Sequence, residues 1–516
     1  MKEKKLLKNC FIYTFLFGIA AHAYGFFNFT ISHDSLEALY SGAAETEWKI
    51  SIGRVFVPAY RWVTRGFLTS PWMIGLLAMI WIALAVYLLL RLFEKEDVCF
   101  TVLAAGIMTV NPIVTALTAT FLHDLDVDMF ALLLMIAAVY LWKKSGWGLL
   151  AGIPMIAVGL GLYQSYLSVA IALIMIVCMM WLLDGKSAGA VLKKGLSGMI
   201  MLIAGGGVYL ISMRVICGGM GIAVSDSYNS ISRLGAAGTS AADMFWYVVK
   251  AYYYWLMYFL NPASVGQTWA AAAANIIVLL CLAGIILTSI FSKKIKTAEK
   301  ILLITLGGAL PLGMNISAVL SKGMLHGLMM YGFCMIYILT LLVAEWNIKN
   351  SSEKHRKTAK YARTVIIAGV AFIIWNGFPM ANAAYLKKDL ERQQTHSLMT
   401  RVAERMESQE GYIRGETTVA FVGKIDMPEM PGFEAFEGDG RTSGVQGLTA
   451  NDQIKNYRDY EEYFQYVLNI PIDLCTEEQR SALWEMQEVK AMPVFPDEEC
   501  MQTVDGILVV KMGERY

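Results

Sequence analysis

Residues 71–92 read PWMIGLLAMIWIALAVYLLLRL, with no charged side chain before Arg91. A helix of that length and apolarity crosses a bilayer, whose hydrocarbon core takes about 20 apolar residues. Comparable runs lie near 9–28, 98–119, 127–142, 147–162, 164–183, 196–216, 269–291, 301–320, 325–346 and 361–381. The chain therefore reads as a polytopic α-helical membrane protein of about eleven transmembrane helices. Its composition agrees: 56% of the 516 residues are hydrophobic and 16% charged, unlike a soluble globular chain. No basic patch with interleaved aromatics occurs, which sets nucleic acid aside as a partner.

The first apolar run follows Met1-Lys2-Glu3-Lys4-Lys5 and contains Ala21-His22-Ala23 within it, with aromatics after, so it reads as an uncleaved helix. Gly159, Gly161 and the polar Tyr163-Gln164-Ser165-Tyr166 divide 147–183 into two short spans. Lysines and arginines gather in alternate loops: Lys2 to Lys8, Arg91 and Lys95, Lys143 and Lys144, Lys186 to Lys194, Lys293 to Lys300, and Lys349 to Arg363. By the positive-inside tendency the N-terminus is cytoplasmic, and an odd number of spans puts the C-terminal segment outside. Loops 29–70, 119–128 and 217–267 then share the outer face. Loop 29–70 interleaves Val55, Phe56, Val57, Tyr60 and Trp62 with Arg54, Arg61 and Arg65, the pattern of an interfacial helix whose arginines snorkel toward phosphates. Phe245-Trp246-Tyr247 and Tyr252-Tyr253-Tyr254-Trp255 read as an aromatic belt.

Residues 1–381 form the membrane domain on this reading, and 382–516 a small extracytoplasmic α/β domain. That tail is acidic, with 25 Asp and Glu against 14 Lys and Arg. A polar helical stretch (387–410), a β-branched run (417–423), a helical region near 451–468 and a late strand (506–511) carry its pattern. Its two cysteines, Cys475 and Cys500, are candidates for a disulfide if the tail is extracytoplasmic.

Polar residues crowd onto the outer side. Ser32-His33-Asp34-Ser35 is followed by Gly53-Arg54, Arg61 and Arg65. Charged groups at a membrane edge are costly to keep, so the default reading is a working site. A carboxylate that can act as a base, near guanidinium groups that match phosphate oxygens, points to chemistry on a lipid-phosphate substrate. Asp34 is the first candidate base, its bland alternative being a helix N-cap; His33 could tune it. His123-Asp124-Leu125-Asp126-Val127-Asp128 puts three carboxylates and an imidazole in six positions. Asp124 and Asp126 are candidates to position the acceptor or Asp34. Together with Asp128 they are candidates to ligate Mg²⁺ or Mn²⁺, though acidic residues at a helix N-terminus need no metal. Arg54, Arg61, Arg65 and, more weakly, Lys322 are candidates for a donor phosphate; Tyr163 and Gln164 could bind a sugar or simply satisfy a helix break.

The succession His33-Asp34-Ser35, Gly53-Arg54, the acidic stretch 123–128 and Gly161-Leu162-Tyr163-Gln164-Ser165-Tyr166 resembles the GtrII-type glucosyltransferases, bacterial membrane proteins of the serotype-converting class. The stretches 382–385 and 419–423 are similar to that family as well. The resemblance implies a GT-C-like architecture in the bacterial inner (cytoplasmic) membrane, with an active site between the first outer loops. It implies a polyprenyl-phosphate glucose donor, an extracytoplasmic glycan acceptor, and an acidic base in the first outer loop, here Asp34. Many relatives of that architecture carry two acidic residues there, whereas this chain has His33 before Asp34, which shifts weight onto Asp124, Asp126 and Asp128. The rival readings are a transporter or flippase of lipid-linked sugars, a glycan polymerase or ligase, and a non-catalytic cell-wall scaffold. A transporter should carry polar groups in mid-membrane on several helices; here Asn111-Pro112 and Asn315 are the chief exceptions.

Overall fold

The computed structural model describes residues 2–28, 32, 36, 38–39, 43–225, 240–261, 268–291, 295–423 and 457–514. In it the long apolar runs fold as expected. Helix α1 spans Lys2–Phe27, and two short helices follow, α2 (Ala43–Ser51) and α3 (Val57–Thr64). Next come α4 (Pro71–Leu92), α5 (Val98–Thr109), α6 (Pro112–Ala119), α7 (Leu122–Lys144) and α8 (Gly148–Leu162). A 3₁₀ turn at Gln164–Tyr166 leads into α9 (Leu167–Leu183), then α10 (Ala188–Met220) and α11 (Ala241–Leu260). The membrane part closes with α12 (Trp269–Phe291), α13 (Thr297–Met314), α14 (Ile316–Leu320), α15 (Met335–Asn350) and α16 (Glu353–Glu407).

Among the described residues ten helices, three of them joined from two adjacent elements, are long and apolar enough to cross a membrane, and Gly148–Leu162 is a shorter apolar one. Each of the eleven expected spans has its counterpart. The break between α5 and α6 is stabilised by Asn111, whose Oδ1 accepts from the amides of Ile113 (3.1 Å) and Val114 (3.0 Å) while its Nδ2 donates to Ile107 O (3.0 Å). Asn111 is thus a helix cap ahead of Pro112, not a free polar group in mid-membrane.

The two ends of the bundle differ in chemistry. At one end the loops are joined by peripheral ion pairs, Arg91 with Glu3 at 2.7 Å, Lys143 with Glu94 at 3.3 Å, and Lys95 with Glu345. At the other end lie the C-termini of α1 and α8 and the N-termini of α4 and α7, where Phe27 stacks on Trp72 at 4.9 Å and the Phe56 amide donates to Gly161 O (2.9 Å). Helix α11 presents Phe245, Trp246 and Tyr253 outward, in keeping with an aromatic belt.

Two stretches differ from expectation. Region 29–70 holds α2 and α3, and its polarity is the reverse of a snorkelling helix. Trp62 and Val63 are exposed (75% and 72%), while Arg54 and Arg61 are buried. The acidic stretch 123–128 is not a loop but the first two turns of α7, and all its side chains are buried. The reason is the same in both: arginines and carboxylates satisfy one another inside, which frees the apolar side chains to face lipid.

Helix α16 runs unbroken across the expected boundary at 381/382. Its 55 residues extend about 80 Å at 1.5 Å per residue, far more than a bilayer core needs. Its far end packs on the tail, which holds β1 (Thr418–Val422), α17 (Arg458–Glu462), β2 (Asp473–Leu474), α18 (Glu477–Glu485), α19 (Gln487–Ala491), β3 (Met501–Val504) and β4 (Ile507–Lys511). The sheet order is β2-β1-β4-β3, with β1 parallel to both neighbours and β3 and β4 joined as a hairpin. Asp505 and Gly506 take positive φ at its two-residue turn, as the twist of a hairpin favours. Cys475 and Cys500 are both free and buried, so the expected disulfide is absent. Cys475 Sγ lies 3.3 Å from the Tyr457 hydroxyl, and Cys500 Sγ 3.8 Å from Arg405. Leu36, from region 29–70, is fully buried in the tail's core with Met399 and Val402.

Candidate active site

A cluster of buried charge lies where α2, α3 and the start of α7 meet. Glu45 and Lys49, one helical turn apart on α2, face inward together at 3.7 Å. Helix α2 then ends in a Schellman turn. The Arg54 amide donates to Lys49 O (2.8 Å), with Gly53 at φ +84°. A side chain at Gly53 would place Cβ 2.4 Å from the Tyr209 hydroxyl and 2.9 Å from Gln164 Nε2. Gly53 therefore both ends α2 and turns Arg54 into the cluster. Gly53→Ala is expected to cost about 1–2 kcal/mol through the left-handed backbone alone. The double variant Gly53→Ala/Tyr209→Phe should relieve the closer of the two clashes yet still melt below wild type in detergent.

Asp124 is the centre of the cluster. Its Oδ2 accepts from Lys49 Nζ (2.5 Å) and Arg54 Nη1 (2.6 Å), and its Oδ1 from Arg61 Nη2 (3.0 Å). Arg61 also reaches Glu45 (2.7 Å) and the carbonyl of His123 (3.2 Å). Arg65 binds Asp126 through Nε (2.9 Å), and the carbonyls of Leu68 (2.8 Å) and His123 (2.7 Å) through its two terminal nitrogens. His123 Nε2 lies 3.4 Å from Lys49 Nζ. Burial pushes the Lys49 ammonium below its ordinary value, and the Asp124 carboxylate opposes that shift. Helix α3 is held down by Tyr60, whose hydroxyl accepts from Trp81 Nε1 (2.8 Å) and whose ring packs on Phe130. Burial raises the Tyr60 phenol, which stays protonated.

The expected site residues are brought together in part. Arg54, Arg61, Arg65, Asp124, Asp126 and Asp128 share one region, and Arg54 lies 4.4 Å over the Tyr163 ring. Gln164 donates to Ile52 O (3.2 Å) and the Tyr209 hydroxyl (3.1 Å), so it braces the Gly53 turn. Lys322 is exposed at φ +55°, in a turn that packs on α11, and among the described residues it makes no ion pair with the cluster. His33 and Asp34 lie outside the described residues. Their sequence neighbours are anchored: Ser32 Oγ donates to Thr120 O (2.5 Å), just ahead of α7, and Leu36 is buried in the tail.

Of the three carboxylates expected as metal ligands, only Asp124 is engaged by cations through both oxygens. Asp124 is surrounded by three cationic side chains and Asp126 holds Arg65 through one oxygen, whereas Asp126 Oδ1 and Asp128 Oδ1 accept no hydrogen bond. Among the described residues no three His, Cys, Asp or Glu side chains converge on a common point.

Some members of the site carry no sequence signal of their own. Glu45 and Lys49 show only an i, i+4 spacing, and the anion that Lys49 meets, Asp124, is 75 positions away. On α16 Lys387 and Lys388 are buried and share Glu391 at 3.7 and 3.6 Å. Nearby, Asp389 accepts from the Tyr24 hydroxyl at 3.1 Å. His22 on α1 bridges the Tyr385 hydroxyl (2.6 Å) and Thr109 O (2.9 Å).

The family model for the glucosyl transferase GtrII matches residues 23–339. The chain belongs to this family. The match begins near the end of α1 and runs into α15, so it takes in the whole cluster around Asp124 and leaves α16 and the tail outside. No curated protein and no solved structure matches the chain. As a GtrII-family member the chain is a multi-pass membrane glycosyltransferase, with a sugar donor and a glycan acceptor as its partners.

Proposed function

We propose that the chain transfers glucose from a polyprenyl-phosphate donor to an extracytoplasmic glycan with inversion at the anomeric carbon, Asp34 serving as general base. The acceptor hydroxyl attacks C1 of the sugar and its proton passes to the Asp34 carboxylate. The bond from C1 to the phosphate oxygen breaks, and the electron pair leaves with the lipid phosphate. Phosphate departs as an anion, so no acid is needed on that side.

The observation that carries this reading is the one-sided placement of charge. The buried ionic cluster lies at one end of the bundle, beside the anchored Ser32, while the lysine-rich loops are tied together at the other end. A polyprenyl donor keeps its tail in lipid and its phosphate at the interface, so a site at one membrane face suits it. The positive-inside tendency supports assigning the cluster to the outer face and the N-terminus to the cytoplasm of a bacterial inner membrane.

Among the arginines, Arg54 is the first choice for the phosphate. Its side chain retains 10% exposure where those of Arg61 and Arg65 retain 1%, and it sits on a turn, not within a helix. The test is transfer of radiolabelled glucose from polyprenyl-phosphate glucose in membranes with and without the protein, read on extracted surface glycan. Turnover is expected to persist in excess EDTA, because Asp124 is held by three cations and no three potential ligands converge among the described residues. Absence of transfer from this donor would overturn the proposal.

A further inference from the structure

Glu45 Oε1, His123 Nδ1 and Asp126 Oδ1 accept or donate no hydrogen bond although their side chains are held elsewhere, and two further side chains of the site have no hydrogen-bond or ion-pair partner among the described residues. Asp128 is one turn beyond Asp124 on the same face of α7, 1% exposed, and its Oδ1 makes no hydrogen bond. The Tyr166 hydroxyl, on the 3₁₀ turn after α8, is equally buried and equally unsatisfied. The two lie within electrostatic reach of each other. A buried carboxylate or hydroxyl left without a partner costs about 1–3 kcal/mol or more. The arrangement is therefore explained by a partner that arrives with the substrate.

The surroundings say what kind of partner. Tyr166 meets Tyr163 edge-on at 5.8 Å and Tyr331 at 5.6 Å, and Arg54 lies over Tyr163. Aromatic faces beside a few convergent polar groups suit a sugar ring, which offers C–H faces to the rings and hydroxyls to the polar atoms. A hexosyl phosphate carries its ring directly next to its phosphate. The groups holding the ring must therefore lie near the group holding the phosphate, as Tyr163 adjoins Arg54 and Tyr166 adjoins Tyr163. We propose that Asp128 and Tyr166 hydrogen-bond the hydroxyls of the transferred hexose and set which epimer is accepted. This rests on the polyprenyl-phosphate reading above, and it assigns Asp128 to the sugar in place of a metal.

The experiment compares kcat/KM for polyprenyl-phosphate glucose with that for its galactose and mannose counterparts, in wild type, Asp128→Asn and Tyr166→Phe. Each substitution keeps the shape of the side chain, and thermal midpoints in detergent report folding. Each variant is expected to lose about 10–100-fold on the glucose donor, the size of one or two hydrogen bonds to a substrate hydroxyl. The preference for glucose over one of the epimers should fall with it. An unchanged preference in both folded variants would overturn the proposal and leave an ordered water as the partner. If Asp128→Asn fails to fold, an unchanged preference in Tyr166→Phe is enough to overturn it. If wild type uses none of the three donors, the donor assignment itself falls, and that outcome is distinguished because it precedes any comparison of variants.

Discussion

Asp34→Asn is expected to reduce sugar transfer by about 10²–10⁴-fold, the contribution of a general base, in a chain that inserts and folds as wild type does. The acceptor hydroxyl is a poor nucleophile until its proton is removed, and an amide cannot take that proton. The substitution also separates the two roles open to this residue. Asparagine caps a helix about as well as aspartate, so a purely capping Asp34 would leave turnover unchanged. The flanking anchors do not depend on the carboxylate: Ser32 bonds to Thr120 O, and Leu36 is buried among tail side chains. Radiolabelled transfer in membranes, with the variant's expression and elution profile alongside, decides between them. Full turnover would remove Asp34 as the base.

The spans were legible because length and apolarity alone specify them, and even the short pair around Gly161 was marked by its polar break. What escaped was anything that depends on distant pairing. The stretch 123–128 looks like a hydrated loop because three carboxylates in six residues are costly to bury unpaired. It begins a helix because Lys49, Arg54, Arg61 and Arg65 come from 60 or more positions away to meet it. The same pairing turns Arg61 of α3 inward, whereas the sequence reads as an interfacial helix with arginines snorkelling toward phosphates. Spacing gave Asp124, Asp126 and Asp128 equal standing, whereas the fold separates them into a hub, a single ion pair and an unsatisfied group. The tail boundary was placed where hydropathy falls, yet the backbone of α16 takes no notice of it.

Asp124→Asn is expected to destabilise the protein more than loss of any one cation around it. Asp124 answers three cations at once, and removing one side of a buried ion pair typically costs about 3–5 kcal/mol. In the variant, Lys49, Arg54, Arg61 and Arg65 remain against Glu45, Asp126 and Asp128. Lys49→Met should cost less, since Asp124 keeps both guanidinium partners. The double variant should recover part of the Asp124→Asn loss, because it removes a cation together with its anion. The pH dependence follows from Lys49, whose folded pKa lies below its ordinary 10.5 because of burial and loses the support of Asp124 in the variant. Between that lowered value and 10.5 the unfolded chain binds more protons than the folded one, so stability rises with pH across this window. Asp124→Asn should therefore regain stability as pH rises, and the gain should vanish in the double variant, where no lysine is left to discharge. Thermal midpoints of the three variants in detergent at neutral and alkaline pH test this. A pH response that persists without Lys49 would show that another group carries it.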